Sequence, residues 1–120
     1  MSKGVFSAST RVVFISGALA LAQAVTAADA ANGQRLFMSK CALCHAAGGT
    51  GTQMLARRLG NERALLAERT DLQPAYISAI VRAGLNSMPA LTRVDVTDAQ
   101  LDDIATYLTR PRPAATGATP

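Results

Sequence analysis

The run Cys41-Ala42-Leu43-Cys44-His45 decides how the rest of the sequence is interpreted. A Cys-x-x-Cys-His run is typical of covalent c-type haem attachment, in which each thiol forms a thioether bond with one haem vinyl group. In a helix Cys41 and Cys44 would share a face, because positions i and i+3 are neighbours. His45 follows directly, so its imidazole can bind the iron. The run therefore predicts one covalent haem, anchored by Cys41 and Cys44 and ligated by His45.

Three other kinds of site use similar residues. A structural zinc ion usually takes four Cys or His ligands, whereas the whole sequence has two cysteines and one histidine. A thiol–disulfide oxidoreductase of the thioredoxin kind expects a βαβ pattern around its Cys-x-x-Cys pair, and the sequence has no convincing strands. A plain disulfide would explain the two thiols but not the histidine. Haem attachment is the interpretation that uses all three side chains.

Residues 1–28 are predicted to be a cleaved secretory signal. Lys3 and Arg11 supply the positive start, and residues 12–22 supply a short apolar stretch. Three small residues are acceptable cleavage sites, of which the second is favoured: Ala27, Ala28 and Ala30. An uncleaved membrane anchor is the alternative, although residues 12–28 are at the lower limit of spanning length. We therefore expect export to the periplasm of a Gram-negative bacterium, with no membrane span after cleavage.

The mature chain is predicted to be one small domain, residues 29–109, followed by a disordered Pro/Ala/Thr tail, residues 110–120. A domain of this size often needs a cofactor to complete its core. Losing Lys3 and Arg11 with the signal lowers the formal charge from +4 to +2. No basic block with interleaved aromatic residues is present, so nucleic-acid binding is not expected.

The apolar periodicity predicts an all-α domain with helices over residues 31–44, 61–69, 74–83 and 97–109. Asn61 is a suitable N-cap for the second helix. Pro74 and Gly84 are the expected boundaries of the third helix. Thr97 and Gln100 form a capping box at the start of the last helix. A glycine-rich loop is expected over residues 46–51.

Two apolar stripes are expected to form the core. One lies on the third helix and the other on the last helix, and their members are Tyr76, Ile77, Ile80 and Val81, and Leu101, Ile104, Ala105 and Leu108.

Met88 is the preferred candidate for the second axial ligand of the iron. It follows a helix that ends near Gly84, and Pro89 restricts its backbone to extended geometry. Met54 and the absence of any protein ligand are the alternatives. Ligation by His and Met raises the reduction potential of the iron and blocks access of substrate to it. We therefore predict an electron carrier and not an enzyme; a haem enzyme or sensor with a labile sixth position and a haem-free Cys-x-x-Cys oxidoreductase are the other candidates.

Over residues 31–109 the sequence resembles the class I monohaem c-type cytochromes. The matching motifs are Gly33-x-x-x-Phe37, Cys41-Ala42-Leu43-Cys44-His45, Ser87-Met88-Pro89 and Ile104-Ala105-x-Tyr107-Leu108. The resemblance implies a small all-α domain wrapped around one covalent haem c. It also implies that the first and last helices cross near Gly33, Phe37 and Tyr107.

A narrower resemblance concerns the run from Tyr76 to Pro89, which contains Gly84, Met88 and Pro89. It is similar to the cytochrome subunits of periplasmic flavoprotein phenol oxidases of the 4-cresol dehydrogenase and eugenol hydroxylase types. The resemblance implies redox protein partners, among them a flavoprotein dehydrogenase that passes electrons to the haem one at a time.

Overall fold

A computed structural model describes residues 28–112 of the chain. The predicted signal up to Ala27 and the predicted tail beyond Arg112 lie outside the described residues. Within residues 28–112 the fold contains no β-strand and no helix long and apolar enough to cross a membrane. Five α-helices are present: α1 (Ala30–Lys40), α2 (Ala42–His45), α3 (Thr50–Leu59), α4 (Pro74–Ala83) and α5 (Asp98–Thr109). Two 3₁₀ turns lie between α3 and α4, at Asn61–Arg63 and Leu66–Glu68. The predicted all-α class is confirmed.

Helices α1 and α5 cross at Gly33, where the two backbones come into direct contact. A Cβ atom on Gly33 would lie 1.9 Å from the carbonyl oxygen of Asp103. One turn further along, the rings of Phe37 and Tyr107 pack with their centroids 5.7 Å apart. The Asp103 carboxylate also accepts a hydrogen bond from the Asn32 amide at 2.7 Å. The helix crossing implied by the resemblance is therefore present.

Helix α5 supplies most of the hydrophobic core. All four residues of its predicted stripe are buried, and they pack with residues from α1, α4 and the connecting segments: Leu101, Ile104, Ala105 and Leu108 with Phe37, Leu72, Ile77, Val96 and Tyr107. The predicted stripe of α4 is only partly correct. Ile77 is buried and Val81 packs against the core, whereas Tyr76 is 52% exposed. The reason is that α4 contacts the core along one narrow i, i+4 row.

The predicted ends of α4 and α5 are confirmed. Pro74 is the first residue of α4, and Gly84 follows its last residue with φ +74°. At the start of α5 the Thr97 hydroxyl accepts a hydrogen bond from the Gln100 backbone N–H at 3.2 Å. The Gln100 side chain accepts one from the Thr97 N–H at 3.1 Å. Both helix boundaries are therefore set by local side-chain chemistry.

The prediction of one continuous helix over residues 31–44 is wrong, because the helix is interrupted at Cys41. This residue has φ −118° and ψ −28°, and α2 begins immediately after it. In a continuous helix Cys41 and Cys44 would lie on one face. The interruption instead lets Cys41 pack against the core while Cys44 is exposed. The predicted loop is also shorter than expected, since α3 begins at Thr50.

The predicted helix over residues 61–69 is replaced by the two 3₁₀ turns, with Leu65 extended between them. Arg63 and Arg69 both bind the carboxylate of Asp71, at 2.5 and 2.8 Å. Residues six apart on an α-helix point in different directions, so a continuous helix could not bring both to one carboxylate. The hydrogen bond from Arg69 is the main reason why the pKa of Asp71 lies well below its usual range.

Candidate haem-binding site

The two cysteines lie at either end of one turn of backbone. The carbonyl oxygen of Cys41 accepts hydrogen bonds from the N–H groups of Cys44 at 3.2 Å and His45 at 2.9 Å. Both thiols are free, so no disulfide joins them. Cys41 is half-buried and Cys44 is exposed. The turn therefore presents two unlinked thiols and an imidazole within five consecutive residues.

The thiol of Cys41 has a raised pKa. Burial is the main cause, the charge of Lys40 opposes it, and the neighbouring thiol of Cys44 adds to it. Thiol–disulfide oxidoreductases depend on the opposite shift, because a lowered pKa generates the reactive thiolate. The absence of strands within the described range removes the βαβ context as well. Both observations argue against the dithiol oxidoreductase alternative.

His45 ends α2 and packs against the first turn of α3. A Cβ atom on Gly51 would lie 3.1 Å from its Cε1 atom and 3.2 Å from its Nδ1 atom. The Nδ1 atom is buried and has no hydrogen-bond partner among the described residues. Burial lowers the pKa of His45. Burial thus favours the neutral imidazole, which is the form that binds a metal ion.

Thr52 fixes the loop that follows His45, and its importance was not predicted from the sequence. Its hydroxyl donates a hydrogen bond to the carbonyl oxygen of Ala46 at 2.8 Å. Gly49 allows the loop to fold back, since a Cβ atom there would lie 2.4 Å from the carbonyl oxygen of Cys44. Thr52 is the one buried residue of α3. A threonine near the start of a helix gives no specific sequence signal for such a role.

Met88 closes a tight turn directly after α4. The N–H of Met88 donates to the carbonyl oxygen of Leu85, and the N–H of Leu85 donates to that of Met88, both at 3.0 Å. Asn86, inside the turn, has φ +54°. A Cβ atom on Gly84 would lie 2.8 Å from the Met88 carbonyl oxygen and 3.1 Å from the carbonyl carbon of Pro89. Met88 therefore lies in a loop after the end of α4, as expected, and its backbone is held on both sides.

A contact between two side chains joins the His45 side of the site to the Met88 turn. Ser87 Oγ lies 3.2 Å from the sulfur of Met54, which is on α3. Met54 follows Gly51 by one helical turn, and Gly51 packs against His45. The fold thus brings the Met88 turn against the same helix that supports His45. Met54, the alternative ligand, lies beside the Met88 turn.

These residues suit a haem better than any other metal group. Among residues 28–112, no group of three or more His, Cys, Asp or Glu side chains is arranged to hold a metal ion, so the zinc alternative gains no support there. Two large apolar side chains near the Met88 turn are only partly covered by protein: Leu85 is 46% exposed and Met54 44%. Two thiols, a neutral imidazole and a thioether beside exposed apolar side chains match the bonding groups of a c-type haem.

Known proteins with similar sequences support the same conclusion. Residues 28–108 match the family described as "Cytochrome C oxidase, cbb3-type, subunit III". Cytochrome c6 of Cyanidioschyzon merolae is 38% identical over 97 residues, which cover 81% of this chain and 88% of the relative. Cytochrome c6 of Thermosynechococcus vestitus is 34% identical over 100 residues, covering 83% and 86%. Cytochrome c6 of Bumilleriopsis filiformis is 37% identical over 81 residues, covering 68% and 90%.

No solved structure gives a significant match to the chain. The family match and the relatives nevertheless cover the whole region that contains the cysteines, the histidine and the Met88 turn. The chain therefore belongs to the class I c-type cytochromes, small electron-transfer proteins that carry a covalently bound haem c.

Proposed function

We propose that Cys41 and Cys44 bind the haem through thioether bonds and that His45 and Met88 are its two axial ligands. The observation that carries the assignment of Met88 is the hydrogen bond between Ser87 and Met54. It connects the turn that contains Met88 with the helix against which His45 packs. A methionine in that turn is therefore close to the side of the molecule that holds the Cys-x-x-Cys-His run.

Haem c supplies a one-electron couple between ferric and ferrous iron when it is bound. The neutral imidazole of His45 and the thioether of Met88 would occupy both axial positions. Thioether ligation favours the ferrous state and so raises the reduction potential. If His45 and Met88 both held the iron, no position would be left for a substrate, and the haem would exchange electrons with other proteins. This chemistry suits a carrier that exchanges electrons with other proteins.

We further propose that the protein works after export, in the periplasm, and receives electrons from a dehydrogenase. The predicted signal over residues 1–28 supports export. Covalent haem attachment takes place outside the cytoplasm and so requires export as well. The cytochrome c6 relatives give no support to the narrower assignment as a flavoprotein subunit. That assignment depends on the run from Tyr76 to Pro89 alone. Co-purification from the native source tests it: a flavoprotein retained through two chromatographic steps supports it, and a haem protein that elutes alone contradicts it.

Substitution of the two nearby methionines tests the ligand assignment. We expect Met88→Ala to lose the sulfur-to-iron charge-transfer band of the ferric protein and to lower the reduction potential. Met54→Ala is the matched control, because it removes the same side chain from the neighbouring helix and should keep the band. A high-spin ferric spectrum in the unmodified protein would instead support the alternative of a labile sixth position. Loss of the band in Met54→Ala alone would assign the ligand to Met54.

Covalent attachment has its own test. The haem of the denatured holoprotein should survive acid–acetone extraction and give a pyridine haemochrome spectrum. Cys41→Ala with Cys44→Ala should abolish this retained haem. Haem that can be extracted from the unmodified protein would contradict the thioether assignment.

A further inference from the structure

Arg82 makes an unusual set of contacts near the end of α4. One terminal nitrogen of its guanidinium donates to the carbonyl oxygens of Leu91 at 3.0 Å and Thr92 at 3.1 Å. The other terminal nitrogen donates to the carbonyl oxygen of Val96 at 2.9 Å and to Asp98 Oδ1 at 2.8 Å. The Arg82 side chain is only 22% exposed. One side chain of α4 therefore binds three backbone carbonyls of the segment that leads to α5.

These contacts close the loop that contains Met88. The loop leaves α4 at Gly84 and returns at Leu91, whose N–H donates to the carbonyl oxygen of Val81 at 2.8 Å. Arg82 binds the returning end of the loop, at the carbonyl oxygen of Leu91, beside this backbone hydrogen bond. Within the loop, the hydrogen bonds between Leu85 and Met88 are local and do not attach it to α4 or α5. The base of the loop is thus held mainly by Arg82 and by the pairing of Leu91 with Val81.

A guanidinium is well suited to this position. Its planar fork offers several N–H donors in fixed directions, so it can bind several carbonyl oxygens at once. Hydrogen bonds from a charged donor are stronger than those between neutral groups. A lysine could keep the charge but not the fork. A glutamine would keep neither the charge nor the full number of donors.

We propose that Arg82 is a positioning residue for Met88: it keeps the loop of residues 84–91 closed on α4 and α5, so that the Met88 sulfur stays on the iron. This inference rests on the proposed function, in which Met88 is an axial ligand. An external ligand can reach the iron only when the loop opens. The apparent affinity for that ligand therefore rises with the fraction of molecules in which the loop is open.

Imidazole binding to the ferric holoprotein measures this opening. The titration follows the loss of the sulfur-to-iron charge-transfer band. We expect Arg82→Gln to bind imidazole at least about tenfold more tightly than the unmodified protein, because the open fraction increases in proportion. Arg82→Lys should give an intermediate affinity. If Arg82→Gln does not accumulate as holoprotein, Arg82→Lys carries the test with the same direction of change.

Arg93→Gln is the matched control. Arg93 also binds Asp98, with its Nε atom 2.6 Å from Oδ2, but its side chain is 74% exposed and no hydrogen bond to the loop carbonyls is present among the described residues. Like Arg82→Gln, the Arg93→Gln substitution removes one positive charge and one hydrogen bond to the Asp98 carboxylate. We expect its imidazole affinity to stay within about twofold of the unmodified protein, since the loop remains closed. An equal increase in Arg82→Gln and Arg93→Gln would overturn the proposal in favour of a general charge effect.

A second control separates loop opening from general destabilisation. Asp103→Asn weakens the contact between α1 and α5, because the Asp103 carboxylate binds Asn32 and the Asp29 N–H of the α1 end and makes no hydrogen bond with residues 84–91. It should lower the denaturation midpoint without changing imidazole affinity. The proposal fails if Arg82→Gln lowers the midpoint and leaves imidazole affinity unchanged. Failure of the proposed function has a different signature, because the charge-transfer band would then be absent from the unmodified protein or would persist in Met88→Ala.

Discussion

The two halves of the domain are held together by different interactions. In the packed half, α1, α4 and α5, buried apolar side chains interlock around the crossing at Gly33. In the site half, α2, α3 and residues 84–90, Thr52 is the one buried residue, and backbone hydrogen bonds shape the loops. The packed half supplies stability from the chain itself. The site half supplies the groups that a haem would bind and cover. Equivalent substitutions in the two halves should therefore change different properties.

The largest effect is expected for Gly33→Ala in the packed half. An alanine in a helix is normally about 1 kcal/mol more favourable than glycine. Here its Cβ would lie 1.9 Å from the Asp103 carbonyl oxygen and 2.9 Å from the Cβ of Tyr107, so α1 and α5 must separate. We expect a loss of about 3 kcal/mol or more in the free energy of unfolding, measured by denaturant titration.

Gly51→Ala is the corresponding change in the site half. The new Cβ would lie 2.9 Å from the carbonyl oxygen of Cys44 and 3.1 Å from Cε1 of His45. We expect a smaller loss of stability together with a change in the ferric spectrum and reduction potential, because the His45 imidazole must move. Equal losses of stability in the two variants, with no spectral change in Gly51→Ala, would contradict the division into halves.

The parts of the fold that were predictable from sequence are those with local causes. Pro74 and Gly84 mark the ends of α4, and the Thr97–Gln100 capping box marks the start of α5. The Cys-x-x-Cys-His run also depends on spacing alone. Each of these signals is complete within a few residues, so no knowledge of distant contacts is needed.

The features that were not predicted depend on residues far apart in the chain. The interruption at Cys41 reflects packing of its side chain against the core. The 3₁₀ turns before α4 depend on one carboxylate, Asp71, that binds two arginines. The contact of Ser87 with Met54 joins residues 33 positions apart. Periodicity carries no information about such pairs. The predicted ligands stay predictions, and the fold adds the neighbours that would hold them.

The next largest difference in the free energy of unfolding is expected from truncating one leucine in each half. Leu101 in α5 is 3% exposed, whereas Leu43 in α2 is 91% exposed. We expect Leu101→Ala to lower the free energy of unfolding by about 2 to 5 kcal/mol, because it leaves a cavity in the core. Leu43→Ala should change it by no more than about 0.5 kcal/mol. Thermal and denaturant unfolding of the holoproteins measure both values. A loss above about 1 kcal/mol for Leu43→Ala would show that the Leu43 side chain is packed in the holoprotein and would contradict the division into halves.

The smallest change in stability is expected from removing one of two threonine hydroxyls, which make hydrogen bonds of equal length. Thr52 donates to the carbonyl oxygen of Ala46 at 2.8 Å, and Thr109 donates to that of Ala105 at 2.8 Å. The Ala105 carbonyl lies within α5, where the helical backbone also supplies a donor. The Ala46 carbonyl lies in a loop and accepts otherwise only from the N–H of Gly49 among the described residues.

We therefore expect Thr52→Val to cost about 1 kcal/mol of unfolding free energy and Thr109→Val clearly less, since the Thr52 hydroxyl joins the loop to α3 whereas the Thr109 hydroxyl bonds within a helical turn that the backbone already holds. Thr52→Val should in addition speed amide hydrogen exchange at Gly49, because the loop after His45 loses one of its hydrogen bonds to α3. Thr52→Ser, which keeps the hydroxyl, should restore slow exchange. If Thr52→Val and Thr109→Val have the same stability and exchange rates, the hydroxyl of Thr52 does not fix the loop, and shape alone holds the site half together.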